Sequence, residues 1–194
     1  MTAGEYVSAF ASIILALAVT DLATSFHRLL RARKRVRWDW LPLAVALLIL
    51  FGTVQFWWVF FELWKSTGRF TLGGFVPDFV TLLLLFFIAS AALPDEVPTE
   101  GLDLEAYYFE NRTYFWSLFL LLVVSATATN IFHRATPDTT ASEIIAWIWR
   151  SGNVTLLVLF AILLATARRW VHVALVLFML AALVWQWVRL AIAD

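Results

Sequence analysis

The chain has 194 residues, 62% of them hydrophobic and 14% charged, with a formal net charge of zero at pH 7. So little polar surface cannot cover a soluble globule, and the balanced charge implies no polyanionic partner such as nucleic acid. The absence of cysteine excludes disulfides, thiolate metal sites, iron–sulfur clusters and cysteine nucleophiles.

Six long apolar runs fill the chain, near residues 6–30, 41–64, 75–93, 114–134, 143–167 and 170–192. Each is close to the ~20 residues needed to cross a bilayer core. No water is available there, so each run must satisfy its backbone groups internally, and runs without two-residue alternation do so as helices. The expected fold class is all-α: a polytopic six-transmembrane-helix bundle forming a single integral membrane domain over residues 1–194.

Span one follows Met1 to Tyr6, which lacks the basic region and small-residue cleavage pattern of a signal peptide, so it is expected to be retained. The link after it carries Arg28, Arg31, Arg33, Lys34, Arg35 and Arg37, and the link between spans five and six carries Arg168 and Arg169. These basic loops are expected in the cytoplasm, which puts both termini outside, in a bacterial inner (plasma) membrane. Tryptophan supports the same levels. Trp38, Trp40, Trp116 and Trp170 fall at inner ends, whereas Trp57, Trp58, Trp64, Trp147, Trp149, Trp185 and Trp187 gather toward the outer half. Lys65, Arg69, Arg134, Arg150 and Arg189 are the scattered cations of that outer side.

Span three is uniformly apolar apart from Thr81 and Ser90, with Pro77 at a first-turn position, and is expected to be the most lipid-exposed helix. The acidic segment Pro94 to Arg112 follows, with Asp95, Glu96, Glu100, Asp103, Glu105 and Glu110. Two readings of the opposite loop charges stand side by side. The loops dock on each other, or the basic run contacts anionic lipid through Arg31, Arg33, Lys34 and Arg35. Leu104 to Arg112, with Tyr107, Tyr108 and Phe109, reads as a short interfacial helix before span four. In span five, Ser151, Gly152 and Asn153 are three weak helix formers in a row and predict a kink, with an outer interfacial turn ahead of it. ATSFHR at Ala23 to Arg28 and ATNIFHR at Ala128 to Arg134 suggest an inverted three-plus-three repeat.

Asp21 lies about 10 to 13 Å inside the basic boundary on a helical rise of ~1.5 Å per residue. Asp21, Thr24, Ser25 and Arg28 share one face, with Thr20 adjacent. An ionised carboxylate there costs several kcal/mol unless paired or hydrated, so Asp21 is expected to bond the Thr and Ser hydroxyls or to face a wet cavity. In the outer third Gln55, Asn130, Asn153 and Gln186 fall at one level, with Glu62, Arg150 and Arg189 just outside them. They read either as a polar vestibule or as amides gluing helices together. His27, His133 and His172 are expected at the interfaces as solvated residues, so neither a haem nor a metal is expected. No cofactor of any kind is implied. No Gly-rich phosphate loop, GxSxG elbow or HExxH is present, and an enzyme is not expected.

Leu15 to Arg33, reading LALAVTDLATSFHRLLRAR, and Leu93 to Arg112, with its PDE and YYFENR elements, resemble small multi-pass bacterial membrane proteins. That resemblance covers most of the chain and carries no function with it. Span one is also similar to the first helix of the six-span endolysosomal potassium channels and their bacterial relatives, whose motif begins Phe-Ser-Asp. Phe10, Ala11 and Ser12 stand here instead, without the Ser-Asp pair, so no pore residue is carried over. The functional expectation is a small oligomeric channel or transporter-like protein moving an ion or proton. Its rival is a non-catalytic partner or sensor subunit that docks a protein or lipid through its charged loops.

Overall fold

A computed structural model describes residues 3–65, 72–134, 136 and 138–192, without the side chains of 3, 62–65, 72, 134 and 189–192. Its long helices are α1 (Ala3–Arg31), α2 (Trp40–Lys65), α3 (Leu72–Ala91), α4 (Leu104–Arg134), α5 (Ala141–Arg150), α6 (Asn153–Ala165) and α7 (Arg169–Ile192). Five of them are individually long and apolar enough to cross a membrane, and α5 with α6 form a sixth segment bent by 59°. The all-α, membrane-bundle class is therefore the observed one.

Chain order is not spatial order. Around the bundle α2 lies against α1, α1 against α3, α3 against α4 and α4 against α6, while α7 packs on α2 and touches α6. This arrangement corrects the expectation for span three. Of the five single spans α3 is the most buried, because α1 and α4 flank it, and α7 is the least. Uniform apolarity could not show this, since a lipid tail and a leucine on a neighbouring helix make the same demand on a side chain. Pro77 also differs from expectation. Because α3 begins at Leu72, Pro77 lies inside the helix and deprives the Gly73 carbonyl of its i+4 donor.

Three further expectations meet the structure. The kink is present: Gly152 has φ +77°, a left-handed conformation that suits glycine, and it separates α5 from α6. A capping box at Thr140 and Glu143 starts α5, and none of its residues is buried. The short helix at Leu104–Arg112 is instead the first part of the unbroken 31-residue α4. The halves do not pack as repeats either. The backbones of α1 and α3 run side by side, whereas α4 and α7 are not among the closely packed pairs.

Loop docking is the reading the structure carries. Strand β1 (Val36–Arg37) pairs in parallel with β2 (Leu102–Asp103), joining the basic and acidic segments. Arg37 donates to Asp103 Oδ2 at 2.8 Å, and Arg28 donates to the Asp95 carbonyl at 2.9 Å. Gly101 permits the approach. Its φ is +105°, and a Cβ there would lie 2.9 Å from the Arg35 carbonyl oxygen.

Candidate functional site

The basic end is built from helix N-termini that their own sequence caps. Asp39, just before α2, accepts the Leu41 N–H through Oδ1, and Asp103, just before α4, accepts the Glu105 and Ala106 N–H groups. Each aspartate keeps a second oxygen for a cation. Arg169, the first residue of α7, donates to Asp39 Oδ2 at 2.6 Å and also pairs with Glu105 of α4. One guanidinium thus ties three helix starts together, where the macrodipoles favour the carboxylates.

Deeper at that end lies a hydrogen-bonded aromatic centre. His172 is fully buried, with Nε2 2.9 Å from the Thr166 carbonyl and Nδ1 2.7 Å from the Tyr108 hydroxyl. A carbonyl only accepts, so Nε2 carries a proton and donates to it. The Tyr108 hydroxyl then donates to Nδ1 and accepts from Trp116 Nε1 at 3.3 Å. Both ring nitrogens are engaged, so His172 has none left for a haem or metal. Two expectations are corrected here. His172 is not solvated, and Trp116 is fully buried in the core rather than placed at an interface. The fold carries α4 inward and packs Phe160 of α6 and Phe119 against the Trp116 ring.

Asp21 is half-buried, and its Oδ2 is buried without a hydrogen-bond partner. The expected hydroxyl shell goes elsewhere. Thr20 donates to the Ala16 carbonyl and Thr24 to the Thr20 carbonyl, each at 2.7 Å, while Ser25 donates to Asp95 at 3.0 Å. Helical threonines find the carbonyl one turn back at short range, which is why sharing a face with Asp21 did not make them its partners. Thr20 instead lines an open cleft of about 360 Å³ between α1 and α2, with Ser12, Ala16, Val19, Thr53 and Trp57 among its walls.

The outer amides do not form one cluster. Gln55 accepts from Trp187 Nε1 at 3.2 Å, Asn153 donates to Thr127 at 2.8 Å, Asn130 donates back to the Ala126 carbonyl, and Gln186 is exposed. Two of the four therefore join helix pairs, α2 with α7 and α4 with α6. Arg150 is exposed and donates to the Ala146 carbonyl of its own helix. The side chains of Glu62, Arg189, Lys65 and Arg134, and all of Arg69, lie outside the described residues. Of the cations expected to face lipid, Arg35 is exposed and 3.5 Å from the Pro98 carbonyl, while Arg31, Arg33 and Lys34 are exposed.

Sequence reasoning missed Asp78. It is 4% exposed, and its Oδ2 lies 3.1 Å from Nε2 of His133, which is exposed as expected and in addition meets this carboxylate. A carboxylate one residue after Pro77 in an otherwise apolar run was the available signal. Among the described residues no three His, Asp or Glu side chains gather to hold a metal. Fold and polar sites together define an all-α, multi-span membrane protein. Compared with protein-family models, curated proteins and solved structures, the chain matches none.

Proposed function

We propose that the protein is a small oligomeric channel or transporter that moves a proton or other cation, and that the moving charge contacts Asp21. The observation that supports this reading is the buried, unpartnered Oδ2. A carboxylate oxygen denied a donor in a low-dielectric setting costs several kcal/mol, and a proton or cation from outside the fold relieves that cost. All three neighbouring hydroxyls are already committed, which supports a partner for this oxygen from outside the fold.

In purified protein reconstituted into liposomes, Asp21→Asn keeps volume and amide hydrogen bonding but removes the charge. Flux is expected to fall at least ~tenfold, the effect of losing about 1.4 kcal/mol of stabilisation along the path, with thermal unfolding little changed. Wild-type flux in the variant, or no wild-type flux under any ion gradient or voltage, overturns the reading. In the proposed bacterial inner membrane the basic loops face the cytoplasm and both termini lie outside. Lys34→Cys, in a chain without native cysteine, is then labelled only from the cytoplasmic side.

A second reading rests on Arg31, Arg33 and Lys34, which stay exposed while Arg28 and Arg37 are engaged by the acidic segment. In it the protein is a non-catalytic partner or sensor subunit that docks an anionic lipid or protein surface there. It takes the lead if reconstituted protein carries no flux while reversal of these three charges to Glu abolishes binding to anionic vesicles.

A further inference from the structure

Helix α5 (Ala141–Arg150) is divided lengthwise by its own sequence. At about 100° per residue, Ile144, Ile145, Trp147, Ile148 and Trp149 share one arc of its surface, and Ser142, Glu143, Ala146 and Arg150 share the other. In a soluble fold such an apolar arc turns toward a core. Here no residue of α5 is buried, Ile145 and Trp149 are exposed, and among the described residues α6, into which it leads, is the only helix packed closely against it. Both ends of α5 are nonetheless secured. The Thr140 N–H donates to Glu143 Oε2 at 2.9 Å, and the Ser151 N–H donates to the Trp147 carbonyl at 2.9 Å. Local bonds thus fix the helix, while the bundle buries none of its apolar arc.

What covers the arc follows from where α5 stands. It connects α4 to α6 at the end opposite the basic loops, and α6 has only 13 residues. That is about 20 Å of helix, short of the ~30 Å hydrocarbon core. The 59° bend at Gly152 then turns α5 away from the α6 axis toward the membrane plane, near the depth where hydrocarbon gives way to headgroups. Trp58 of α2 and Trp185 of α7 are exposed in the halves of their helices toward that same end, and tryptophan favours that level. The lipid-facing surface of the bundle therefore continues into the apolar arc of α5. Glu143 and Arg150 are its two charged residues, both on the polar arc, where the Arg150 Nε donates back to the Ala146 carbonyl. Their charges cancel, which matches an electrically neutral headgroup layer rather than an anionic one. We propose that α5 is an in-plane helix whose partner is a zwitterionic lipid surface, with Ile144, Ile145, Ile148 and Trp149 in the acyl boundary and Ser142, Glu143 and Arg150 among the headgroups.

This contact is separate from the Asp21 region and stands whether or not the protein conducts. The native chain has no cysteine, so Ser142→Cys, Ile145→Cys, Ala146→Cys and Ile148→Cys each give one spin-labelling site in the full chain, at positions the fold does not bury. In phosphatidylcholine liposomes, collision of the label with oxygen reports the acyl region, and collision with a water-soluble nickel chelate reports the aqueous side. Oxygen is expected to be favoured at Ile145 and Ile148 and nickel at Ser142 and Ala146, so that the preference alternates with the helical period. Adding phosphatidylglycerol is expected to leave this pattern unchanged. Nickel access at all four positions would place α5 in water, and oxygen preference at all four would make it the upper part of a broken span within the hydrocarbon. Immobilised labels at Ile145 and Ile148 would show that protein, such as a second copy, covers the arc. Each of these three results overturns the proposal, as does a pattern that forms only with phosphatidylglycerol.

Discussion

At the basic end, one hydrophobic cluster draws on α1, α2, α3, α4, α6 and α7, from Leu29 and Leu41 through Trp116 to Phe160 and Val176. At the opposite end the separate cluster of Val7, Ala11, Ile14, Leu15, Phe60, Leu82 and Leu85 draws its buried members, among the described residues, from α1, α2 and α3, with Leu122 of α4 packed against it. Cross-helix hydrogen bonds are present at both ends, Asp78–His133, Asn153–Thr127 and Gln55–Trp187 among those at the far end, but the linkage differs. Arg169, Asp39, Glu105, Tyr108 and His172 find partners on other elements, while Trp116 donates to Tyr108 of its own helix. At the far end Thr129 has none, Arg150 bonds its own helix, and α5 buries no residue. In a bilayer apolar surface alone does not drive helices together, so packing density and cross-helix hydrogen bonds decide which end is rigid. The basic end, with the larger core and the Arg169 tie between three helix starts, is the more consolidated of the two.

Paired substitutions at the two ends break or sharpen this contrast. The largest effect is expected for Trp116→Ala. The ring is fully buried, and its loss costs about 3–5 kcal/mol of stability in denaturant unfolding. Trp149→Ala, at 68% exposure in α5, is expected to change stability by less than about 0.5 kcal/mol. Comparable losses at the two positions would mean that the ends are equally consolidated.

Arg169→Ala comes next. It leaves Asp39 and Glu105 without their shared cation, but the guanidinium is partly solvated, so the expected loss is about 1 kcal/mol. Arg150→Ala, which removes a contact only within α5, is expected to leave Tm unchanged. A double-mutant cycle of Arg169→Ala with Asp39→Asn separates the ion pair from lost packing.

The smallest effect is a pH dependence. The Ala106 N–H holds the Asp103 carboxyl below its usual range. Slight desolvation opposes this, and Arg37 and the Glu105 N–H add to the lowering. A depressed folded value means that the stabilisation is present above the unfolded carboxylate range, near ~3.9, and is lost as pH falls through the lower folded value. Wild-type protein should therefore lose more Tm than Asp103→Asn on going from about pH 5 to pH 2. Parallel Tm curves would show that the cap is held by geometry alone.

Much of the fold was legible in the sequence because bilayer thickness, backbone satisfaction and weak helix formers are one-dimensional constraints. Run lengths located the spans, and Ser151, Gly152 and Asn153 marked the bend before α6. The opposite charges of the two loops offered docking as one of two readings, the other being contact with anionic lipid. At the candidate site only the depth of Asp21 was readable, since helical rise alone sets it. Its missing partner was not, because Thr20, Thr24 and Ser25 each had a competing acceptor that a helical wheel does not show. Only tertiary structure decided that α3 is the most buried of the single spans, that Trp116 and His172 are core residues, and that Asp78 meets His133 across α3 and α4. Each of these depends on which helix lies beside which. In a chain this uniformly apolar, sequence determines that a segment enters the membrane, while neighbour choice rests on small differences in packing and hydrogen bonding that appear only once all six segments are assembled.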